Sequence, residues 1–507
     1  MTSATSRERK SPRLRALVSG IAALRVLNRA NPVITTVTDD SRAVTPGALF
    51  VAIKGFKTDG HLYIAEAAGK GAGAIVCETL PTAPTACPVI QVADSRRALS
   101  ALAARFCGFP ARKLRMTGVT GTKGKTTTTE LLRNILNEAG RNAGSIGTLG
   151  HCIGDQWIES DLTTPGAVAL HTALLDMVRA GATDVCMEVS SHSLVLQRVA
   201  DVPFAAAILT NITHDHLDMH GNRENYARAK RMLFESLAPG TIAVLPADCE
   251  FHRSFRAATR AEVLTYSTKS LSDVKGRILS LDMDGMAIEV RTPLETYTVR
   301  TTLTGDYNCL NILAAATAAF GFGIHGQEVQ RALTRSRGVP GRLERVRVPG
   351  RDDLPALLVD FAHTPDSLDK VLSTLRMLVK DKLVCLVGCG GDRDRTKRPL
   401  MGDIATRIAD VTVFTADNSR SERTEDIIAQ MTAGVSAPFS DYRVEPDRRR
   451  AIELAISLAP SPESMVVLCG RGCERYLKIA GQNTPFDDRL VAREIMQQMP
   501  LRRRRTA

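Results

Sequence analysis

Residues 118–129 read Gly-Val-Thr-Gly-Thr-Lys-Gly-Lys-Thr-Thr-Thr-Thr, and no other stretch constrains the fold as tightly. An apolar run ends at Val119, a Gly/Thr-rich turn follows, and apolar residues then recur at helical spacing (Leu131, Leu132, Ile135, Leu136). The pattern predicts a strand, a tight loop and a helix. Glycines let backbone N–H groups approach a phosphate closely, and the helix N-terminus adds the positive end of its dipole. Lys125 supplies a full charge, and Thr126 a hydroxyl placed for a magnesium ion. The general spacing G-x-x-x-x-G-K-[ST] fails, because Val119 stands where it needs glycine; a tighter G-T-x-G-K-T-T runs from Gly121.

A chain of 507 residues is too long for one core. Strand–helix alternation implies an α/β fold in three domains, each an α/β unit, expected at residues 1–112, 113–345 and 346–507. The first has strand-like segments at 49–53, 74–77 and 89–92. The second carries the phosphate loop in a central parallel sheet, with further segments at 185–189 and 206–209. The third reads as Rossmann-like, with strands at 356–359, 383–387, 411–415 and 465–469, each ending in a Gly- or Asp-rich turn. Ligands of open parallel sheets gather beyond the strand ends. Two Val-Pro-Gly stretches, from Val339 and from Val348, mark the last junction as a hinge.

The net charge of +12 sits largely at the ends, in Arg7, Arg9, Lys10, Arg13 and Arg15 and in Arg502 to Arg505. These tails read as solvated and disordered, over about the first 20 residues, rather than as a nucleic-acid surface. Aromatics at 4% argue against base-stacking platforms. The 11 scattered cysteines fit reduced thiols in a cytoplasmic protein. The apolar stretch 16–27 is broken by Gly20 and Arg25 and is no signal peptide, and no run of about 18 apolar residues predicts a membrane span. The expected state is a monomer acting on small molecules.

Glu188 is an acid at a strand's carboxyl end. Asn211-Ile-Thr-His-Asp-His-Leu-Asp-Met-His-Gly221 places further polar groups beyond the next strand. With Thr126 they offer magnesium an oxygen-rich shell. A zinc site at His214, His216 and His220 is disfavoured, because no fourth ligand lies at the usual spacing. Asn308 opens an Ala-rich helix, where an amide can read an adenine edge, and Arg342 is a fork-shaped cation suited to phosphate oxygens. Cys385, Cys389, Cys469 and Cys473 end two third-domain strands, so four thiols at one loop cluster are a weak metal or redox candidate. A dinucleotide reading of 388–393 fails, because Arg393 replaces the third glycine.

Four segments taken together resemble the Mur ligase family, which builds the peptide stem of bacterial peptidoglycan precursors. They are the loop from Gly121, residues 211–221, Val359-Asp-Phe-Ala-His-Thr-Pro-Asp366 and Gly388-Cys-Gly-Gly-Asp-Arg-Asp394; the resemblance runs over residues 33–497 and is strongest to the members adding the third residue. It implies that Gly121, Thr122, Lys123, Gly124, Lys125, Thr126 and Thr127 hold the ATP phosphates with Arg342, while Asn308 approaches adenine and Asp360 the ribose. It implies catalytic roles for Lys125, Glu188, His216 and Lys230. Thr126, Glu188, His216 and a carbamate formed from carbon dioxide on Lys230 would hold magnesium, two ions in all. The UDP-sugar peptide would meet Ser41, Phe56, Lys57, Thr58, Thr163, Thr164, Ser190 and Arg198; Leu196 stands where the family often has glutamine.

The incoming amino acid would meet Arg393, Asp417, Asn418, Ser419, Arg420, Gly470 and Glu474. Asp417-Asn-Ser-Arg420 resembles the D-N-P-R signature of members adding meso-2,6-diaminopimelate, with Ser419 in place of proline and Cys473 in place of a usual histidine. Arginines there suit a second carboxylate, which lysine lacks. The implied reaction joins meso-diaminopimelate to UDP-N-acetylmuramoyl-L-alanyl-D-glutamate through an acyl phosphate. The same ligation with lysine or another diamino acid, or a folylpolyglutamate-type ligation, is the alternative. A P-loop motor would instead hydrolyse ATP without an acceptor.

Overall fold

Short apolar strands place alternate side chains on opposite faces, so a sheet buried on both sides collects two cores. In the first sheet Leu49, Val51, Ala74 and Val76 enter one buried cluster, and Phe50, Ile75 and Cys77 enter the other. Its strands run in the order Ala23–Leu27, Val89–Val92, Ala74–Cys77, Leu49–Val51, Val37–Thr38; the first pair is antiparallel and the rest are parallel. The computed structural model describes residues 11–500 apart from 56–57, 155, 161, 214, 216, 337 and 437–440.

One expectation fails here. Residues 11–20, expected to belong to a disordered tail, are ordered, while Arg7, Arg9, Lys10 and Arg502 to Arg505 lie outside the described residues. The helix Leu14–Val18 buries Leu14 and Leu17, and the Leu14 and Ile34 N–H groups donate to the carbonyls of Pro32 and Pro12. Two leucines three apart on one helical face outweigh the arginines around them, which keep their charged heads in water.

The chain forms two compact units, one of Met1–Lys275, Thr292–Glu295 and Asn311–Ala332, the other of Gly276–Arg291, Thr296–Leu310 and Leu333–Ala507. Within the first lies the central sheet, ordered Glu262–Ser267, Ile242–Pro246, Phe204–Leu209, Arg115–Thr120, Asp184–Glu188, Ala143–Gly147 and parallel throughout, with the antiparallel strands Gly150–Ile153 and Gln156–Ile158 beyond. The loop-bearing strand Arg115–Thr120 thus has Phe204–Leu209 and Asp184–Glu188 on its two sides. The three strand ends open on one edge. No helix among the described residues is long and apolar enough to cross a membrane.

In the second unit the strands run Glu344–Val346, Ala356–Asp360, Met465–Cys469, Leu383–Val387, Val411–Phe414, Tyr442–Val444, with only the first pair antiparallel. Cys385, Val387, Val467 and Cys469 face one core, Val384, Leu386, Val466 and Leu468 the other. This two-sided parallel sheet is the doubly wound arrangement expected for the third domain.

His171, on the helix Ala167–Arg179, is fully buried, and neither ring nitrogen has a hydrogen-bond partner. Burial pushes its imidazole down to about 4. Below the ordinary histidine range the unfolded chain binds a proton that the folded chain refuses, so stability falls between about pH 6.5 and pH 4, by up to about 3 kcal/mol. Urea titrations of wild type and His171→Leu should therefore show a stability difference that shifts against wild type on acidification. A difference constant with pH would mean that the folded imidazole takes up its proton normally.

Candidate active site

The phosphate loop leaves its strand at Gly121 and enters the helix Lys125–Glu138. Both glycines are required. Gly121 has φ +147° and a Cβ there would overlap Thr210 Oγ1; Gly124 has φ +82° and a Cβ there would overlap Asn311 Oδ1. The next strand end holds the loop in shape. Asn211 accepts from the Lys123 N–H at 3.0 Å and donates to its carbonyl at 3.0 Å, and Thr210 Oγ1 donates to that carbonyl at 2.6 Å. Thr126 and Thr127 are buried at the helix start.

Two lysines meet on one loop carbonyl. Lys125 Nζ donates to the Gly121 carbonyl at 3.0 Å and to that of Thr122 at 2.9 Å. Lys230, on the helix Arg223–Glu235, donates to the same Gly121 carbonyl at 2.8 Å and lies 4.2 Å over the Tyr226 ring. It is 1% exposed. Burial first, then the charge of Lys125, holds its ammonium well below the usual lysine range, against a smaller opposing pull from Asp215. A neutral amine is therefore accessible at this position.

Glu188 ends its strand beside this loop, with its carboxylate accepting from Thr148 N–H at 2.8 Å and from Thr148 Oγ1 at 3.3 Å. A Cβ on Gly147 would overlap that carboxylate. Thr148 Oγ1 also lies 3.1 Å from Thr163 Oγ1. Thr164 Oγ1 donates to the Glu188 carbonyl at 2.8 Å and lies 3.3 Å from Ser190 Oγ, and Arg198 donates to the Thr164 carbonyl at 3.0 Å. Thr163, Thr164, Ser190 and Arg198 thus form one chain of contacts running from Glu188. Gln197, one residue from the position where glutamine was expected, instead reaches Asp94 at 2.7 Å. Ser41 sits in the turn Ser41–Ala43 of the first sheet, and Thr58 lies 3.3 Å from Tyr63 Oη. No hydrogen bond among the described residues joins either to the Thr164 group. Phe56, Lys57 and His216 lie outside the described residues, as does His214. His220 is buried against Ser191 at 3.0 Å and packs on His192 and Tyr226, a core role.

In the second unit Asp360 accepts the Leu343 and Ala362 N–H groups, each at 2.8 Å, and so fixes the turn that carries Arg342; Leu343 there has φ +45°. The Arg342 guanidinium lies 4.8 Å over Phe361. Asn308 is buried and donates to the Thr304 carbonyl at 2.7 Å. Asp360 and Arg342 are brought together; Asn308 sits one residue from Tyr307, whose phenol is buried near Asp360.

The third-domain strand ends converge as well. Asn418 donates to Glu474 at 2.6 Å, and Arg420, with φ +53°, donates to the Gly391 carbonyl at 2.7 Å. Gly470 lies against the Asp417 carboxylate, and a Cβ on Gly391 would overlap the Ser419 carbonyl. Burial, then the Asp417 charge, raises the Glu474 carboxyl, opposed by Arg471 and Asn418. Ser419 is buried with its hydroxyl unpartnered. Arg393 is exposed and donates to the Asp392 carbonyl at 3.4 Å.

The four-thiol cluster is not formed. Cys389 packs on Met401 sulfur at 3.5 Å, Cys469 is hydrogen-bonded to Cys385 inside the sheet, and Cys473 lies by Arg342 and Arg489. Burial pushes the Cys389 thiol up to about 12. All the cysteines are free, and no metal-holding group of these side chains occurs among the described residues. Side chains alternate across a strand, so spacing at strand ends does not by itself collect thiols. Sequence reading also missed Thr148, Arg448, Arg471 and Asp488. Thr148 had a signal, since it follows a strand at the sheet edge where ligands gather; the other three are joined only by the fold.

Three regions match family descriptions: residues 33–107 "Mur ligase family, catalytic domain", residues 119–319 "Mur ligase middle domain" and residues 341–472 "Mur ligase, glutamate ligase domain". The chain is 42% identical over 487 residues to the UDP-N-acetylmuramoyl-L-alanyl-D-glutamate–2,6-diaminopimelate ligase of Geobacillus thermodenitrificans (strain NG80-2), covering 95% of this chain and 98% of that one. A solved structure of a ligase of that name matches with TM-score 0.66 at 31% identity, covering 92% of this chain and 95% of the other. Folylpolyglutamate synthase of Mycobacterium tuberculosis, complexed with ADP and AMPPCP, shares the fold, with TM-score 0.61 at 19% identity over 79% of this chain and 95% of its own.

Proposed function

The chain belongs to the Mur ligase family, and we propose that it joins meso-2,6-diaminopimelate to UDP-N-acetylmuramoyl-L-alanyl-D-glutamate at the expense of ATP. It is an ATP-dependent ligase. The observation that carries the amino-acid choice is the strand-end cluster in which Glu474 is held by Asn418 beside Arg420. A carboxylate and a guanidinium there suit the ammonium and carboxylate of a zwitterionic side-chain end. Lysine would leave the guanidinium without a partner. We place the domain boundaries at 112/113 and 345/346. Its free cysteines suit the cytoplasm.

The D-glutamyl γ-carboxylate attacks the γ-phosphorus of ATP, ADP leaves, and an acyl phosphate forms. The amine of the amino acid then attacks the acyl carbon, phosphate leaves with the bonding pair, and the amine's proton passes to phosphate or water. Loop N–H groups and Lys125 hold the phosphate oxygens, and Arg342 offsets charge on them. Thr164, Ser190 and Arg198 seat the peptide end of the nucleotide sugar close to Glu188. Thr126, Glu188, His216 and Lys230, the last as its carbamate, would hold magnesium, which when bound neutralises charge on the transferring phosphoryl group. The donor set fits: Glu188 is a carboxylate beside the loop, and Lys230 is an amine whose hold on its proton burial weakens.

Phosphate release with the nucleotide-sugar dipeptide and, in parallel, meso-diaminopimelate, lysine or ornithine tests the reading. Release should need acceptor and amino acid together and be greatest with meso-diaminopimelate. Hydroxylamine should trap the activated acyl group only when ATP and the acceptor are both present. Phosphate release without acceptor would favour a motor, and a preference for lysine would overturn the amino-acid assignment.

A further inference from the structure

Behind the Asn418–Glu474 pair lies a charged network with no access to water. Arg448, Arg471 and Asp488 are all essentially fully buried. Arg448 grips Asp488 with two nitrogens, at 2.9 and 2.5 Å, and donates to the Ala416 carbonyl at 2.8 Å, at the end of the strand preceding Asp417. Arg471 shares Asp488 at 3.6 Å, and donates to the carbonyls of Tyr476 and Phe486, each at 3.0 Å. Its remaining nitrogen reaches Asn418 Oδ1 at 3.4 Å, where the Lys478 N–H also donates at 2.8 Å.

An N–H group can only donate, so two donors on one atom fix that atom as the amide oxygen. The Asn418 amide nitrogen must then face Glu474, which it does at 2.6 Å. One Glu474 oxygen is thereby committed, and the other is left to meet an incoming donor. A buried guanidinium next to two carboxylates, Asp417 and Glu474, also favours the ionised form of Glu474 against its burial.

We propose that Arg471 is a positioning residue for amino-acid selection: it locks the Asn418 amide, and through it aims Glu474 at the distal ammonium of the amino acid. The inference rests on the reading of this cluster as the amino-acid site. Arg471 is a better target than Arg448, because Asp488 keeps both short bonds from Arg448 when Arg471 is removed.

The test compares kcat/KM for meso-diaminopimelate with that for 2-aminopimelate, which has both carboxylates but no distal ammonium. In Arg471→Met the ratio should fall about tenfold, the scale of one charge-assisted hydrogen bond. KM for ATP and for the nucleotide sugar should stay within about twofold of wild type. Arg471→Lys, which keeps the charge but not the planar fork, should lose part of the ratio, and it carries the test should the methionine variant not fold. Glu474→Gln should lower the ratio as well, and adding Arg471→Met to it should lower it little further. A merely structural arginine would instead move all three KM values together, or move none, and either result overturns the proposal. An unchanged ratio in Glu474→Gln would overturn the site reading and the proposal with it; a ratio that falls in Glu474→Gln but not in the Arg471 variants would overturn the proposal alone.

Discussion

Lys125→Ala should lower kcat/KM by about 10³-fold or more, the scale on which removal of one preorganised cation from a phosphoryl-transfer site is felt. The reason lies in how the side chain is stored. Lys125 donates to the Gly121 and Thr122 carbonyls, so its ammonium is folded over the loop that would take the phosphates, and a short movement exchanges carbonyl oxygens for phosphate oxygens. Alanine removes the charge and also the largest nearby cation acting on Lys230, whose amine should then be easier to protonate. Both effects act against turnover. Lys125→Arg should restore little, because a planar fork does not fit between two carbonyls already set for a point charge. The measurement is steady-state phosphate release with all three substrates, with circular dichroism to show that the fold persists. Turnover close to wild type would remove the phosphate-loop assignment, and with it the ligase mechanism derived from it.

What was legible in the sequence and what was not divides along a physical line. The strand–loop–helix at Gly121 is local: an apolar run, two glycines that must adopt positive φ, and a helical apolar stripe lie within about twenty residues. So are the strand ends carrying Glu188, Asn211 and Asp417. Local patterns also gave the parallel α/β class, because fully buried strands read as continuous apolar runs. The N-terminal stretch misled for the opposite reason. Its arginines are abundant and its two core leucines are few, yet burial of Leu14 and Leu17 decides the outcome. The cysteines misled because a spacing of four along a strand and its following loop does not fix which way each thiol points. Arg448, Arg471 and Asp488 are silent in sequence altogether. Their partnership spans a helix start, a strand end and another helix start, and nothing in one dimension relates three such positions.

Lys230 is the residue whose role turns most on burial, and its replacement should be the second large effect. Lys230→Met and Lys230→Arg should each cut turnover by about 10²-fold or more, comparable to losing a dedicated charge-stabilising group. The proposed carbamate forms when the neutral amine attacks carbon dioxide and releases a proton. An ordinary lysine is almost wholly protonated near neutral pH and reacts poorly. Here burial and Lys125 press the ammonium well below that range, so a larger share of the amine is in the reactive form than for an ordinary lysine. The sign of the pH dependence follows. Acidification protonates the amine and the carbamate, and it returns carbon dioxide to solution, so activity should fall as the pH drops and recover with added bicarbonate. Wild type equilibrated with ¹³C-bicarbonate should show a carbamate carbon signal that is lost in Lys230→Met. The arginine variant should lose it too, since a guanidinium stays protonated and cannot attack. Modification changes the group at this site from an amine held against the Gly121 carbonyl to one that carries an anion. The carbamate keeps one N–H that can donate to the Gly121 carbonyl, while its carboxylate must turn away from that oxygen. Absence of the carbon signal in wild type, together with turnover by Lys230→Met near that of wild type, would leave Lys230 as no more than a buried clamp on the loop.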